Sequence, residues 1–397
     1  RQMCIRDSNI TKENKSIMRK ICKKNKKGCG SMAGSTLGDI FKISTWGESH
    51  GRGLGVVVDG CPAGLPLSEE DIQRYLDKRK PGQTRYSTPR KEGDKVEILS
   101  GIFEGKTTGT PISMAVLNTS QRSSDYGDIA TYYRPGHADY TFDMKYGFRD
   151  YRGGGRSSGR ETIGRVAAGA IAVKILAELG IRITAYTKSV GPITIDPSRT
   201  KLSDIEKSPL RMPDLTASEQ AECYLEEKMK EHDSSGGIIE CIVSGMKPGI
   251  GEPVFGKLDA ALAGNIFSIG AVKGVEIGEG FGVAVKTGSE NNDDFYMTPE
   301  GRIAKKTNFA GGILGGISDE SDIILRAAIK PTPSIFKEQQ TVNKEGENIE
   351  VKIKGRHDPI IVPRAVVVVE AMTALTLVDK IFVGMSAKMD RIREFFI

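Results

Sequence analysis

The chain has 397 residues, of which 38% are hydrophobic, 27% charged and 6% aromatic. This composition is typical of a globular protein and excludes a long disordered chain. The low aromatic content counts against a nucleic-acid binder that works by stacking. The net charge of +6 comes from residues 1–31, where ten basic and two acidic residues give +8. Residues 32–397 hold 47 basic and 49 acidic residues, and their net charge of −2 gives no general argument for a polyanion partner. The longest apolar run, residues 365–378, contains Glu370 and is shorter than the roughly 20 residues that span a bilayer, so we expect neither nucleic acid nor a membrane as a partner.

Residues 1–31 are predicted to lie outside the folded domain. They are rich in Lys and Asn, show no amphipathic period and lack the apolar stretch of a secretory signal. Met32 then begins a sequence that is typical of a folded chain. We therefore expect a basic leader over 1–31 that is non-native or disordered, followed by one domain over 32–397; a targeting leader is the alternative.

The cysteines outside the leader point to a reducing compartment. Cys61, Cys223 and Cys241 are far apart in the sequence and do not have the spacing of metal ligands. We expect no disulfide framework, no metal site and a cytoplasmic location.

Predicted strands and helices are mixed along residues 32–397. A β-branched run at 56–58 predicts a strand, and Ser68, followed by three acidic residues, predicts the capped start of a helix that stops before Pro81. Further strands are predicted at 96–103, 111–118, 182–186, 237–244, 274–278, 281–286, 323–329 and 351–354, and further helices at 163–179, 216–232, 255–269 and 363–378. Because there is no linker and no short repeat, this order predicts one large α/β or α+β domain.

Two of the four histidines lie in glycine-flanked loops beside charged residues. His50 lies in the segment Gly47-Glu48-Ser49-His50-Gly51, and His137 lies in Arg134-Pro135-Gly136-His137-Ala138-Asp139. Glycine lets the backbone approach a ligand closely, and a loop histidine can act as an acid near neutral pH. Each segment alone is equally compatible with an ordinary turn, but the pair favours a functional role.

The segment Tyr151–Glu161 carries the strongest single signal. Its glycines and hydroxyls precede a predicted helix, it contains Arg152, Arg156 and Arg160, and Ser158 with Glu161 matches a capping box. Free N–H groups at a helix start and guanidinium groups suit a phosphate. An ordinary helix entry and an RNA-binding Arg/Gly segment are the alternatives.

Four further segments are individually weak. They are the basic run at 78–85, the glycine-rich run at 311–318, Lys330-Pro331-Thr332-Pro333-Ser334 at a predicted strand end, and Gly355-Arg356-His357-Asp358-Pro359. Taken together with the histidine loops, they predict an enzyme that binds anionic, phosphate-bearing ligands. The residues alone do not name the substrate.

This set of loops resembles the chorismate synthase family. The two histidine segments, Gly155-Arg156-Ser157-Ser158, the segment 355–359, the segment 271–278 and the segment 310–318 occur in the family's order, and the match covers essentially all of 32–378. The resemblance implies an α+β fold, a β-α-β sandwich in a single large catalytic domain, assembled as a homotetramer. It also implies the last step of the shikimate pathway in aromatic amino acid biosynthesis: a 1,4-anti elimination of phosphate from 5-enolpyruvylshikimate 3-phosphate that gives chorismate and requires reduced FMN.

The resemblance also assigns residues to roles. His50 is implied as the acid near the departing phosphate, His137 as a partner of the flavin N1–C2 edge, and Asp358 as the group near flavin N5 that assists removal of the C6 proton. The implied substrate-binding residues are Ser49, Arg79, Arg85, Arg134 and Arg160. The implied FMN-binding residues are Arg156, Ser157, Ser158, Gly270, Ala271, Gly315, Lys330, Pro331, Thr332, Pro333, Ser334 and Arg356.

Two other functions compete with this hypothesis. A catalytically inactive FMN-binding scaffold predicts that the flavin binds but that His50→Ala has no effect, and an RNA-binding protein predicts affinity that falls steeply with salt. Gly270 stands where many family members carry Asn, which removes one side-chain contact to FMN. NADPH is the candidate reductant, and the sequence does not say whether the protein reduces its own flavin.

Overall fold

The structure, a computed structural model, describes residues 34–87, 93–118, 128–151, 153–353 and 358–397. The chain divides into two units, residues 1–36 and residues 37–397. Only residues 34–36 of the first unit are described. Arg152, Arg356 and His357 therefore lie outside the described residues.

The helices and strands alternate irregularly along the chain. The α-helices are α1 (Glu69–Arg79), α2 (Asp139–Tyr146), α3 (Thr162–Glu178), α4 (Leu215–Lys230), α5 (Leu258–Phe267), α6 (Gly288–Asn291), α7 (Val362–Val383) and α8 (Met389–Phe396). The strands are β1 (Thr36–Leu37), β2 (Lys42–Gly47), β3 (Gly53–Asp59), β4 (Val96–Ile98), β5 (Ile102–Phe103), β6 (Lys106–Thr107), β7 (Ile112–Leu117), β8 (Arg182–Val190), β9 (Ile193–Thr194), β10 (Gly237–Ser244), β11 (Val272–Ile277), β12 (Phe295–Met297), β13 (Ile303–Lys305), β14 (Ile313–Leu314), β15 (Ile317–Ser318), β16 (Ile323–Ile329), β17 (Gln339–Val342) and β18 (Asn348–Val351).

Two antiparallel sheets form the outer layers. In the first, β2, β3, β7 and β4 lie side by side in that order, with Val56 of β3 opposite Met114 of β7. In the second, the order is β11, β16, β10, β8 and β9, with Cys241 of β10 opposite Leu325 of β16. Val56, Cys241 and Leu325 are fully buried, so one face of each sheet is turned to the core.

Two helices fill the space between the sheets. Helix α3 packs on the first sheet, α7 packs on β8 and β10 of the second, and the two helices pack on each other. A Cβ atom on Gly169 of α3 would lie 2.3 Å from the Cβ of Ala371 of α7, so this contact requires a glycine. Four consecutive residues of α7, 366–369, are buried, which is expected of a helix that is apolar all round because protein surrounds it. The predicted α+β, β-α-β sandwich is confirmed.

Several predicted elements are confirmed closely. Strands β10 and β16 have the predicted bounds, and Ser68 forms a capping box with Asp71 at the start of α1. Gly180 follows α3 with a φ of +75°, the left-handed conformation that favours glycine after a helix. Among the described residues, no helix has the length and apolar character needed to cross a membrane.

Four predictions are wrong in detail. Residues 96–103 do not form one strand but two, β4 and β5, which belong to different sheets. Residues 281–286 are not a strand but lie mostly in a 3₁₀ helix, Gly280–Val285, because the alternating apolar side chains there face solvent rather than a core. Ser158 caps a 3₁₀ turn, Gly159–Glu161, and not α3, since the Glu161 carboxylate pairs with Arg165 2.9 Å away. Of the strand predicted at 351–354, only Val351 belongs to a strand, as the last residue of β18; residues 352 and 353 do not, and residue 354 lies outside the described residues.

Candidate active site

His50 lies in the loop that joins β2 to β3. The Ser49 hydroxyl is 3.0 Å from Nδ1 of the imidazole, and Ser49 is buried. A Cβ atom on Gly153 would lie only 2.1 Å from the same nitrogen. Gly153 therefore lies against the His50 ring, and a larger residue there would displace the ring.

Asn118, the first residue after β7, is hydrogen-bonded to the backbone of the loop that carries His50. Its Nδ2 donates to the carbonyl oxygens of Glu48, Ser49 and Gly51 at 3.2, 3.3 and 2.8 Å. Its Oδ1 accepts a 2.7 Å hydrogen bond from Nη2 of Arg160. One amide thus connects an arginine predicted to bind substrate with the loop that carries His50.

A buried carboxylate connects two of the predicted substrate-binding arginines. Asp94 Oδ2 is 2.5 Å from Arg79 Nη2, and Asp94 Oδ1 is 3.1 Å from Arg160 Nη1. Arg79 also donates to the Gly159 carbonyl at 3.3 Å and to the Thr162 hydroxyl at 3.5 Å. The end of α1 and the start of α3 are therefore joined at this carboxylate.

Asp358 reaches the same cluster through Arg364 of α7. Arg364 Nη1 donates to Asp358 Oδ2 at 2.8 Å, and its Nε donates to the backbone carbonyl of Arg79 at 3.1 Å. We name the residues joined in this way, from His50 through Asn118, Arg160, Asp94 and Arg79 to Asp358, the His50 cluster.

His137 is fixed by a hydrogen bond at each ring nitrogen. Nδ1 lies 2.9 Å from the Pro135 carbonyl, which can only accept, and Nε2 lies 3.0 Å from the Ser334 hydroxyl. Burial, followed by the nearby charge of Arg134, lowers the pKa of His137 to about 4. The ring is therefore neutral at pH 7, with its proton on Nδ1 and with Nε2 accepting from Ser334.

The segment 330–334 packs on the His137 loop. Lys330 Nζ donates to the Gly136 carbonyl at 2.7 Å, and its backbone N–H donates to the carbonyl of Ala271 at 2.9 Å. Ala271 has a φ of +74°. Burial and the charge of Lys273 lower the pKa of Lys330. His137, Ala271 and the residues 330–334 form what we name the His137 cluster.

Arg134 is held by a carboxylate of its own loop. Its Nε donates to Asp139 Oδ2 and its Nη2 donates to Asp139 Oδ1, both at 2.8 Å. The pKa of Asp139 is lowered although burial opposes the shift, because Arg134 and Arg149 stabilise the ionised form. Arg134 is thus part of the His137 loop.

Two hydrogen bonds of a serine pair join the clusters. The backbone N–H of Ser235 donates to the carbonyl of Pro359 at 2.9 Å, next to Asp358. The hydroxyl of Ser234 donates to the carbonyl of Thr332 at 2.7 Å. The Asp358 segment is therefore connected to both histidine clusters.

The remaining predicted residues fall into two groups. Arg156 donates to the Gly47 carbonyl at 3.0 Å and to the Thr45 hydroxyl at 2.5 Å, Ser157 donates to Gly154, and Ser158 accepts from the N–H of Arg160, so these three residues shape the loop near His50. The second group consists of Arg85, Gly270 and Gly315, which are all exposed. Arg85 is 65% exposed and pairs with Glu226 at 2.6 Å, Gly270 is exposed after α5, and Gly315 is exposed in the turn between β14 and β15.

Sequence reasoning did not identify several residues that build the site. They are Asp94, Asn118, Gly153, Ser234, Ser235 and Arg364. Asp94 has a φ of +42°, and its burial depends on contacts distant in sequence. Gly153 lies inside the segment Tyr151–Glu161, which the sequence predicts to bind phosphate, but nothing in the sequence connects it to His50.

Among the described residues, neither a group of metal-ligating side chains nor the cavity beside α5 and α7 contributes to this site. Across the described ranges, no group of three or more His, Cys, Asp or Glu side chains could hold a metal ion. A cavity of about 180 Å³ lies between the residues after β1, α5 and α7, and the predicted site residues do not line it.

The sequence and the fold both match known proteins. The sequence profile described as chorismate synthase matches residues 41–382. The chain is 70% identical over 365 residues to the chorismate synthase of Lachnoclostridium phytofermentans, which covers 92% of this chain and all of that relative, and 68% identical over the same length to that of Lachnospira eligens, again covering 92% and 100%. A solved crystal structure of chorismate synthase superposes with a TM-score of 0.71 at 32% identity, over 91% of this chain and 97% of that one.

Proposed function

This chain belongs to the chorismate synthase family of lyases, and we propose that it converts 5-enolpyruvylshikimate 3-phosphate to chorismate and phosphate with reduced FMN as its flavin. In this 1,4-anti elimination the C–O bond to phosphate breaks and phosphate leaves with the bonding electron pair. C6 loses a proton, the electron pair of its C–H bond forms a second ring double bond, and the existing double bond shifts toward the carbon that carried the phosphate. One observation supports the assignment of this chemistry to the described residues: the Asp358 segment is hydrogen-bonded towards both His50 and His137.

His50 is proposed as the acid at the departing phosphate. A phosphate dianion leaves more easily when it gains a proton and meets positive charge. Ser49 holds the Nδ1 side of the imidazole, and Arg160 lies one amide away from the same loop. The proposal is supported by the presence of a histidine and a cation in the same cluster.

Asp358 is proposed as the group near flavin N5 that assists removal of the C6 proton, as the resemblance implies. Its carboxylate is fixed at 2.8 Å by Arg364, which is itself tied to the backbone of Arg79. Arg79, Arg85, Arg134 and Arg160 are proposed to bind the phosphate and carboxylates of the substrate, as the resemblance implies.

The residues of the His137 cluster fit a flavin. The hydroxyl of Thr332 is buried and makes no hydrogen bond within the described part of the chain, so the segment 330–334 offers an unsatisfied polar group to a ligand. Neutral His137, Lys330 and the backbone at Ala271 belong to the same hydrogen-bonded cluster as this segment. When bound, reduced FMN supplies the electron chemistry of the elimination, while these residues orient it and His137 holds its proton on Nδ1.

The proposal extends to the partners implied by the resemblance. We propose that residues 32–397 carry the whole activity without residues 1–31, that the protein is a cytoplasmic homotetramer, and that NADPH is the candidate source of electrons for the flavin. The resemblance supports the tetramer and NADPH, and the scattered cysteines support a reducing compartment.

Separate measurements of flavin binding and turnover test the proposal. His50→Ala and His137→Ala are each expected to reduce turnover of 5-enolpyruvylshikimate 3-phosphate far more than affinity for reduced FMN. An inactive scaffold would instead bind FMN and be indifferent to His50→Ala. Circular dichroism of both variants excludes a shared loss of folding as the cause.

A further inference from the structure

We propose that Asn118 is a positioning residue that couples Arg160 to the His50 loop, an inference that rests on the role proposed above for His50. Asn118 is half-buried at the end of β7, on a different strand from the loop that it holds. The contacts of Asn118 on which the inference rests are all made with other residues of this chain.

The side-chain amide of Asn118 hydrogen-bonds to several backbone groups of the His50 loop. Its two N–H groups face three carbonyl oxygens, those of Glu48, Ser49 and Gly51, at 2.8 to 3.3 Å. These residues surround His50 in the sequence. A further hydrogen bond runs from the N–H of Asn118 to the carbonyl of Arg52 at 3.1 Å, so both ends of the loop are tied to this one residue.

The orientation of this amide is dictated by its partners. Arg160 has only donors, so the group that faces its Nη2 at 2.7 Å must be the acceptor, Oδ1. The NH₂ group must then face the three carbonyls, which can only accept. Flipping the amide would oppose donor to donor and acceptor to acceptor, and this excludes the alternative orientation.

The far side of Arg160 is anchored as well. Its Nη1 lies 3.1 Å from the fully buried carboxylate of Asp94, which also holds Arg79. A change in the position of Arg160, such as one imposed by an anionic substrate group, is therefore passed to the His50 loop through the Asn118 amide. Because a misplacement of about 1 Å at a reacting group can cost roughly 100-fold in rate, this coupling matters for turnover.

Two variants of the full chain distinguish the hydrogen bond at Oδ1 of Asn118 from those at Nδ2. Asn118→Ala removes the hydrogen bonds of both atoms. We expect its kcat to fall by ~10-fold to 100-fold, with KM for 5-enolpyruvylshikimate 3-phosphate and the Kd of reduced FMN nearly unchanged. Asn118→Asp keeps an acceptor for Arg160 and so protects the fold, but it opposes a carboxylate to three carbonyls. We expect it to lose kcat to a similar degree.

Asn265→Ala is the matched control. The Asn265 side chain also makes a cross-element hydrogen bond, from Nδ2 to the Thr376 hydroxyl at 2.9 Å, but between α5 and α7 and outside both clusters. Its kcat is expected to stay within twofold of wild type. An equal loss of kcat in Asn265→Ala and Asn118→Ala would overturn the inference, because the effect would then be one of general stability.

The NMR titration of the His50 imidazole gives a readout that a merely structural role would not move. We expect Asn118→Ala to shift the His50 resonances and their titration midpoint, and Asn265→Ala to leave both unchanged. In an Arg160→Lys background, Asn118→Ala should cost less kcat than in wild type, because the two residues act through one connection. Additive losses, or unchanged His50 resonances, contradict the coupling.

This design distinguishes the inference from the function on which it rests. If His50→Ala retains full turnover, the proposed role of His50 fails. If His50→Ala loses turnover while Asn118→Ala remains within twofold of wild type, the proposed role stands and the positioning role of Asn118 is refuted.

Discussion

The guanidinium of Arg79 and the carboxylate of Asp94 lie 2.5 Å apart with 2% and 0% of their side chains exposed. Arg79 is the last residue of α1, and Asp94 precedes β4. Removing water from both charges is costly, and their attraction offsets that cost only while both are present. This pair therefore fixes the junction from which Arg160, Asn118 and the His50 loop are held.

Asp94→Ala is expected to lower the free energy of unfolding by about 3–5 kcal/mol, because it leaves Arg79 buried without its counter-ion. Asp390→Ala, which breaks an exposed pair with Arg393, is the control and should cost less than about 1 kcal/mol. Urea unfolding measures both. A loss below 1 kcal/mol for Asp94→Ala would show that water or another group replaces the carboxylate easily.

Gly153→Ala is expected to reduce turnover strongly, because its new Cβ would lie 2.1 Å from His50 Nδ1 and must displace the ring. The control is Gly264→Ala in α5, where no atom lies within 4 Å of the new Cβ; it should keep full activity and gain up to about 1 kcal/mol of stability. Steady-state kinetics with thermal unfolding checks both. Full activity of Gly153→Ala contradicts the described packing.

The low pKa of His137 predicts an acid-sensitive fold. The unfolded histidine binds a proton below pH 6.5, whereas the folded one does so only near pH 4. Acid therefore favours the unfolded state in that window, and this group should make the protein about 2 kcal/mol less stable at pH 5 than at pH 7. His137→Gln should flatten the dependence by that amount in urea unfolding at the two pH values. The same pH dependence of the free energy of unfolding in wild type and variant would contradict the low pKa of His137 and would show that its ring is hydrated.

Arg85 is a predicted substrate-binding residue that the described contacts do not join to either cluster. If it binds substrate as the resemblance implies, Arg85→Ala raises KM for 5-enolpyruvylshikimate 3-phosphate and barely changes the stability of the fold, because the side chain is 65% exposed. Glu226→Ala breaks the same ion pair from the other side and should leave KM unchanged. Equal KM values in wild type and Arg85→Ala would remove Arg85 from the site.

The sequence predicted the elements more fully than the connections between them. Ser68, Gly180 and the strands 237–244 and 323–329 follow local rules of capping, turn conformation and alternation, so they were predictable. The hydrogen bonds from Asn118 to 48–51 span about 70 positions, and no local pattern encodes them. The resemblance named His50, His137 and Asp358, but only the fold shows that Arg364 and the serines at 234 and 235 connect them.

The most direct test of the account is to mix the full chain anaerobically with chemically reduced FMN and 5-enolpyruvylshikimate 3-phosphate and to follow chorismate and phosphate together. Equal amounts of both products, released at the same rate by the full chain and by residues 32–397, are the predicted result. Tight binding of reduced FMN without either product, or phosphate released without chorismate, would contradict the proposed elimination.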